Sequence, residues 1–330
     1  MSLNILIKSA AAAVLLAASP ALAEWPEKPI TLIVPWGAGG ATDQVSRVVA
    51  DEISGKLGQP IVVVNQPGAS GSIGSKAAMD APADGYTWTA GAAKDLGTYA
   101  VTGKLDTSIK DWNLYLNSAL VNVVSVGADS DIKDMAGFLA ALKAGGVTVG
   151  TSGVNSAGHS AIEALIAAAG GEYTHVSYDG GADAVLSTVS GETAATTQLI
   201  SEQVDMLRSG QLRALAVLSD TAAEVPGVGT IPSIQDSIPG FTSAPIHFGI
   251  FVPGGVPADV TDKLNTVWME TLANSEALAK YTEGRGSLIT VAAGKEAQDM
   301  VWPSIQINSW LLHDGGQSVA SPDTLGIPRP

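Results

Sequence analysis

The chain has 330 residues, 46% of them hydrophobic and 15% charged, with 17 Lys and Arg against 32 Asp and Glu and no cysteine. Without cysteine, disulfides and thiolate metal sites are excluded, and a net charge of −15 with no Lys or Arg cluster excludes a nucleic-acid binder, which must neutralise phosphates. The length suggests about two domains, each with a core held by apolar burial alone.

Residues 1–23, "MSLNILIKSAAAAVLLAASPALA", carry a basic Lys8, an apolar run from Ala10 to Ala18 and a small-x-small end at Ala21, Leu22 and Ala23. That is the order of a secretory signal peptide, predicted to be cleaved after Ala23, and the run is short for a membrane span. The reading is therefore a protein exported to the periplasm. No later stretch reaches the apolar length of a membrane helix.

The first predicted strand, "ITLIV" (30–34), is followed by "PWGAGGATD" (35–43) and a helix with Val45, Val48, Val49, Ile53 and Leu57 at helical spacing, stopped by Gly58. "IVVV" (61–64) and "YTWTAG" (86–91) are further short strands, with the turn "GASGSIGSK" (68–76) between them. "VTVG" (147–150), a Gly/Ser/Asn turn, and a helix with Ala161, Ile162, Leu165, Ile166 and Ala169 ending at Gly170 and Gly171 repeat the strand-turn-helix unit. "LRALAVLS" (212–219) is another buried strand. Alternating strands and helices predict an α/β protein with largely parallel sheets. "VNVVSVG" (121–127) and "HFGIFVPGG" (247–255) fit neither unit and read as paired crossovers between two lobes. The expected division is 24–120 plus 249–330 for one lobe and 121–248 for the other.

Two polar loops then lie at the C-terminal ends of strands, where open α/β sheets bind ligands. A glycine loop at a helix start suits a phosphate, but "GAGGAT" has Thr42 at the third fingerprint position, and its second strand ends in Asn65 rather than an acid. "GASGSIGSK" lacks the P-loop Gly-Lys-Ser/Thr, so ATP is disfavoured as well. Glycines in both loops also serve simply as tight turns. No Gly-x-Ser-x-Gly elbow or His-Glu-x-x-His occurs, and His159, His175, His247 and His313 are too scattered for a metal cluster. No catalytic residue, metal site or cofactor is nominated. His159 serves either as a ligand in the cleft or as a packing residue at the helix start. Asp51 and Glu52 read as a solvated helix face.

The stretches "WPEKPITLIVPWGAGGATD", "NQPGASGSIG", "ADGYTW", "YDGG", "LRALAVLS" and "GIFVPGGVPADVTDKLN" together resemble the successive signatures of the Bug family, the periplasmic solute receptors of tripartite tricarboxylate transporters. The resemblance runs in register across nearly all of residues 25–315. It implies a two-lobed periplasmic-binding-protein fold, type II-like, with the ligand cleft between the lobes. It implies a small carboxylate ligand held by loops and waters, the membrane components of a tripartite transporter as partners, and a monomer. By the same resemblance the carboxylate rests on the loop Trp36, Ala38, Gly39, Gly40, Thr42 and Asp43 and on the loop Ser152, Asn155, Ser156 and His159. Tyr178, Gly181 and Ala182 close the far side, with Ser70, Lys94 and Gln198 also assigned to the site.

The chain departs from the family pattern in several places. Ala194 and Gln198 stand where Asp is common, Asp179 where a basic residue is frequent, and Trp36 where Phe is usual. Without an acid at 198 an ammonium-bearing ligand is disfavoured, leaving di- or tricarboxylates and aromatic carboxylates. A secreted α/β enzyme acting on a small carboxylate, or a ligand sensor for a membrane signalling partner, is the alternative.

Overall fold

A computed structural model describes residues 24–242 and 244–330; the signal peptide predicted at 1–23 lies outside the described residues. In chain order the first strands and helices are β1 (Ile30–Val34), α1 (Ala41–Leu57), β2 (Ile61–Asn65), α2 (Ser72–Met79), β3 (Thr87–Ala92), α3 (Ala93–Thr98) and β4 (Trp112–Leu120). They are followed by β5 (Val123–Gly127), α4 (Met135–Ala144), β6 (Val147–Thr151), α5 (Ala157–Ala169), β7 (Tyr173–Ser177), α6 (Gly181–Ser190), β8 (Ala195–Thr196), α7 (Ile200–Arg208) and β9 (Leu212–Val217). A hairpin of β10 (Ala223–Val225) and β11 (Gly229–Ile231) precedes β12 (Ile246–Pro253), α8 (Ala258–Leu272), α9 (Glu276–Arg285), β13 (Leu288–Ala293) and α10 (Gly294–Asp314). No described helix is long and apolar enough to cross a membrane.

Two sheets form, ordered β13-β4-β12-β3-β1-β2 and β7-β6-β8-β5-β9. Within each, three strands run parallel and one strand, β12 or β5, lies antiparallel between the third of them and a fourth. Both sheets therefore share one plan, and the antiparallel strand of each is the first to enter after the chain arrives from the other sheet. The segments expected to be crossovers are thus mostly sheet strands. A run such as "VNVVSV" is apolar because both faces of a central strand are covered, and the connections shrink to a few residues either side.

Each sheet is covered on both faces. In the first, Val45, Val49 and Ile53 of α1 pack with Leu264 and Trp268 of α8 on one side, while Leu96, Val301 and Ile305 fill the other. In the second, Phe138, Leu142, Ile162 and Leu165 cover one face and Val185, Ile200 and Val204 the other. The helical apolar stripes read from the sequence are these contacts, and Gly58 ends α1 in the left-handed conformation at φ 74°, which glycine adopts without a Cβ clash. A fifth cluster, Ala41, Ala92, Leu120, Ala157, Leu199, Ile246 and Phe248, draws on both halves and forms the floor between them.

Candidate ligand-binding site

Three helix starts converge on that floor. α1 and α6 have glycine N-caps, Gly40 and Gly180, neither offering a side-chain cap, while Ser156 caps α5 by accepting from the His159 N–H at 3.3 Å. Uncapped N-terminal N–H groups and the helix dipole together favour an anion. The cavity they border, about 20 Å³, is lined by Trp36, Gly40, Ala41, Thr42, Ala92, Asp95, Ser152, Ser156, Ala157, Gly181, Leu199, Glu202 and Phe248. That is room for about one water, far below the roughly 300 Å³ of an ordinary ligand pocket, so the cleft is closed.

Polar bonds span the closed cleft. Gly37 N donates to Asp179 O at 3.1 Å, Asn155 Nδ2 to Thr98 Oγ1 at 2.8 Å, and Ala41 N to Glu202 Oε1 at 3.0 Å. Lys94 Nζ donates to Asp95 Oδ1 and to Asn155 O, both at 2.8 Å, and Lys104 Nζ to Val154 O. Burial holds the Lys104 ammonium down to about 8 and the Asp95 carboxyl above its ordinary range, the latter in spite of Lys94. Two lysines of one half thus hold carbonyls in a loop of the other.

Of the residues assigned from the sequence, Trp36, Gly40, Thr42, Ser152, Ser156 and Gly181 line the cavity. Gly39, at φ 80°, and Ala38 shape the first loop behind it. Asp43 turns inward: its carboxylate accepts from Gly39 N, Arg47 and Asn65 Nδ2. Burial raises that carboxyl, but those partners outweigh it and hold it below the ordinary range. Lys94 is 2% exposed and spent on Asp95 and Asn155, so its charge is neutralised within the protein. Asn155 sits at φ 72° with its amide on Thr98. His159 packs against His175 with ring centroids 4.6 Å apart and planes tilted by 45°, its Nδ1 accepts from Asn155 N, and burial followed by the His175 charge pushes it down to about 3. It is a neutral packing residue here. Ser70, at φ 55°, gives its carbonyl to the Tyr99 hydroxyl at 3.2 Å. Tyr178 and Ala182 flank the Asp179–Gly181 turn, and Gln198 donates to Glu202 Oε2 at 3.2 Å.

Sequence reasoning missed the apolar floor residues, Asp95, and above all Glu202. Glu202 lies on the short helix "ISEQVDMLR", where an acid reads as solvated. The residue is partly exposed, but its carboxyl sits between Ala41 N and the start of α6, and burial lifts it to about 7 although the Ala41 N–H bonds to it.

Residues 45–299 match the model of the family described as tripartite tricarboxylate transporter family receptor. A UPF0065 protein from the gbd 5' region of Cupriavidus necator is 32% identical over 288 residues, covering 83% of this chain and 86% of the relative. The solved periplasmic binding protein BugD shares the fold, with a TM-score of 0.82 at 23% identity over 89% of this chain and 99% of its own. An R. palustris protein solved with adipate gives a TM-score of 0.81 at 25% identity, over 89% of this chain and 99% of its own.

Proposed function

This chain belongs to the tripartite tricarboxylate transporter receptor family, and on that premise we propose that it captures a small carboxylate in the periplasm and delivers it to the membrane components of such a transporter. The ligand class is a di- or tricarboxylate or an aromatic carboxylate. The observation that carries the reading is the convergence of the α1, α5 and α6 starts on one closed cavity between the two sheets. Backbone N–H groups and the Ser152, Ser156 and Thr42 hydroxyls supply donors there, and hydrogen bonds to a charged group contribute about 1.5–3 kcal/mol each. A few such bonds reach micromolar affinity after desolvation. The relative solved with adipate, at 25% identity, supports a dicarboxylate.

The lobes on this reading are residues 24–120 with 249–330, and 121–248, with the second boundary drawn back to Ile246, where β12 enters the first sheet. The chain acts as a monomer that opens to admit ligand and closes around it. Incubation with adipate, citrate and benzoate, followed by thermal unfolding and product analysis, tests the proposal. A rise in melting temperature with no product is expected, because a ligand bound only to the folded state stabilises it by mass action. A new product points instead to an enzyme, and no shift with any carboxylate refutes the receptor reading.

A further inference from the structure

A backbone donor at the start of α1 is already bonded to an acid of the chain itself. Glu202 reaches from α7 to α1, with Oε1 3.0 Å from Ala41 N and Oε2 3.2 Å from Gln198 Nε2. A Cβ on Gly181 would stand 2.0 Å from Oε1 and 2.2 Å from Oε2, so the carboxyl lies directly over the start of α6. It fills the gap between two helix N-termini of opposite halves. Ala41 and Glu202 are 161 positions apart, so only the docked halves create this contact.

Two further observations separate Glu202 from an ordinary buried acid. Among the described residues no cation pairs with it, the cleft's Lys94 being committed to Asp95. Gln198, 1% exposed, donates to Glu202 while its own Oε1 has no partner, and a Cβ on Gly158 at the α5 start would meet that oxygen at 1.8 Å. An amide beside the acid thus keeps an unused acceptor buried against the third helix start. Such a constellation is shaped to exchange one carboxylate for another.

We propose that Glu202 occupies the seat of the ligand carboxylate in the closed cleft, and that a carboxylate ligand enters only as Glu202 takes up one proton. Glu202 is then the residue that sets which ligands the receptor accepts at a given pH. The inference rests on the carboxylate-receptor reading above. Two ionised carboxylates at contact distance repel, whereas the protonated acid is neutral and donates its O–H to the incoming carboxylate. The proton comes from the buffer, and the ligand retains its charge. Desolvation already lifts the Glu202 carboxyl to about 7, so this uptake is easy near neutral pH.

The titratable groups on the surrounding elements are otherwise engaged. Asp43 of α1 is held by Arg47, Asp95 of α3 by Lys94, and Asp205 of α7 by Arg285 of α9 and Arg208. Asp183 of α6 is exposed, and burial lifts Tyr281 of α9 far above neutral pH. Lys104, which bonds across the cleft to Val154 O, is brought down by burial to about 8 and also titrates in this range, so Glu202→Gln is the variant that separates the proton of Glu202 from that of the lysine.

Calorimetry of the full receptor with adipate, citrate and benzoate, at pH 8 in phosphate and in Tris, counts the protons taken up. Close to one proton per ligand molecule bound is expected, with affinity falling about tenfold per pH unit above 7. Glu202→Gln, permanently neutral, should take up none, bind equally from pH 6 to 9 and bind more tightly than the wild type at pH 8. Binding without proton uptake in the wild type overturns the inference and leaves the receptor reading intact. So does loss of binding in Glu202→Gln together with preferential wild-type binding of β-alanine, since Glu202 would then be the counter-ion of an ammonium. Failure of all three carboxylates to bind either protein at pH 6 and 8 defeats the receptor reading itself.

Discussion

Replacing Lys94 by Ala removes the positive half of a buried pair. Its amine is 2.8 Å from both Asp95 Oδ1 and Asn155 O, with Lys94 2% and Asp95 5% exposed. At an effective dielectric constant near 20 the gross attraction is about 6 kcal/mol, most of which offsets the desolvation of both ions. Without the lysine, Asp95 remains buried and uncompensated, which costs about 3–5 kcal/mol, and the Asn155 carbonyl loses its charged donor as well. Burial already holds the Asp95 carboxyl above its ordinary value with Lys94 present, and the variant raises it further. For an acid raised in the folded state, the penalty is absent below its unfolded value and grows as pH rises. The deficit of Lys94→Ala should therefore be largest at pH 7 and shrink towards pH 4. Urea unfolding followed by tryptophan fluorescence at both pH values gives the difference. The double variant Lys94→Met, Asp95→Leu should recover most of it, because apolar groups need no partner. A loss below about 1 kcal/mol at pH 7, unchanged at pH 4, would refute the claim that this pair is a buried, mutually dependent tie.

Glu202 has its own signature in stability. Its folded value near 7 lies above the ordinary 4.5, so the wild type should lose up to about 3 kcal/mol as pH rises from 4.5 through 7, and Glu202→Gln should not; parallel urea midpoints across that range would contradict the placement. His159 acts in the opposite direction, since burial pushes a base down to about 3. Stability fully present above pH 6.5 should fall by up to about 5 kcal/mol on the way to pH 3, and His159→Phe should flatten that slope in an acid-unfolding titration. An unchanged acid midpoint in the variant would mean that His159 titrates freely.

The local order of the chain was legible in its sequence. The β1 run, the Val45 to Leu57 stripe, the Gly58 stop and the polar loop between them all follow from forces acting within one turn or one strand. The motif resemblance added a fold and a ligand class, and six of the assigned residues reach the cavity wall. Lys94 and Asp43 illustrate where reading along the chain ends. Each was legible as a charge near a loop, but whether that charge faces a ligand or a neighbour depends on partners brought in by folding: Asp95 and Asn155 for one, Arg47 and Asn65 for the other. Glu202 is the extreme case. Its helix neighbours Ile200, Ser201, Gln203 and Val204 are buried, and no local pattern distinguishes it from a surface acid. The sequence determined that uncapped helix starts would offer N–H groups to an anion. Docking of the two halves decided that the carboxylate found there is the protein's own, because a charge takes its partner from space, and here the donor and the acid are 161 positions apart in the chain.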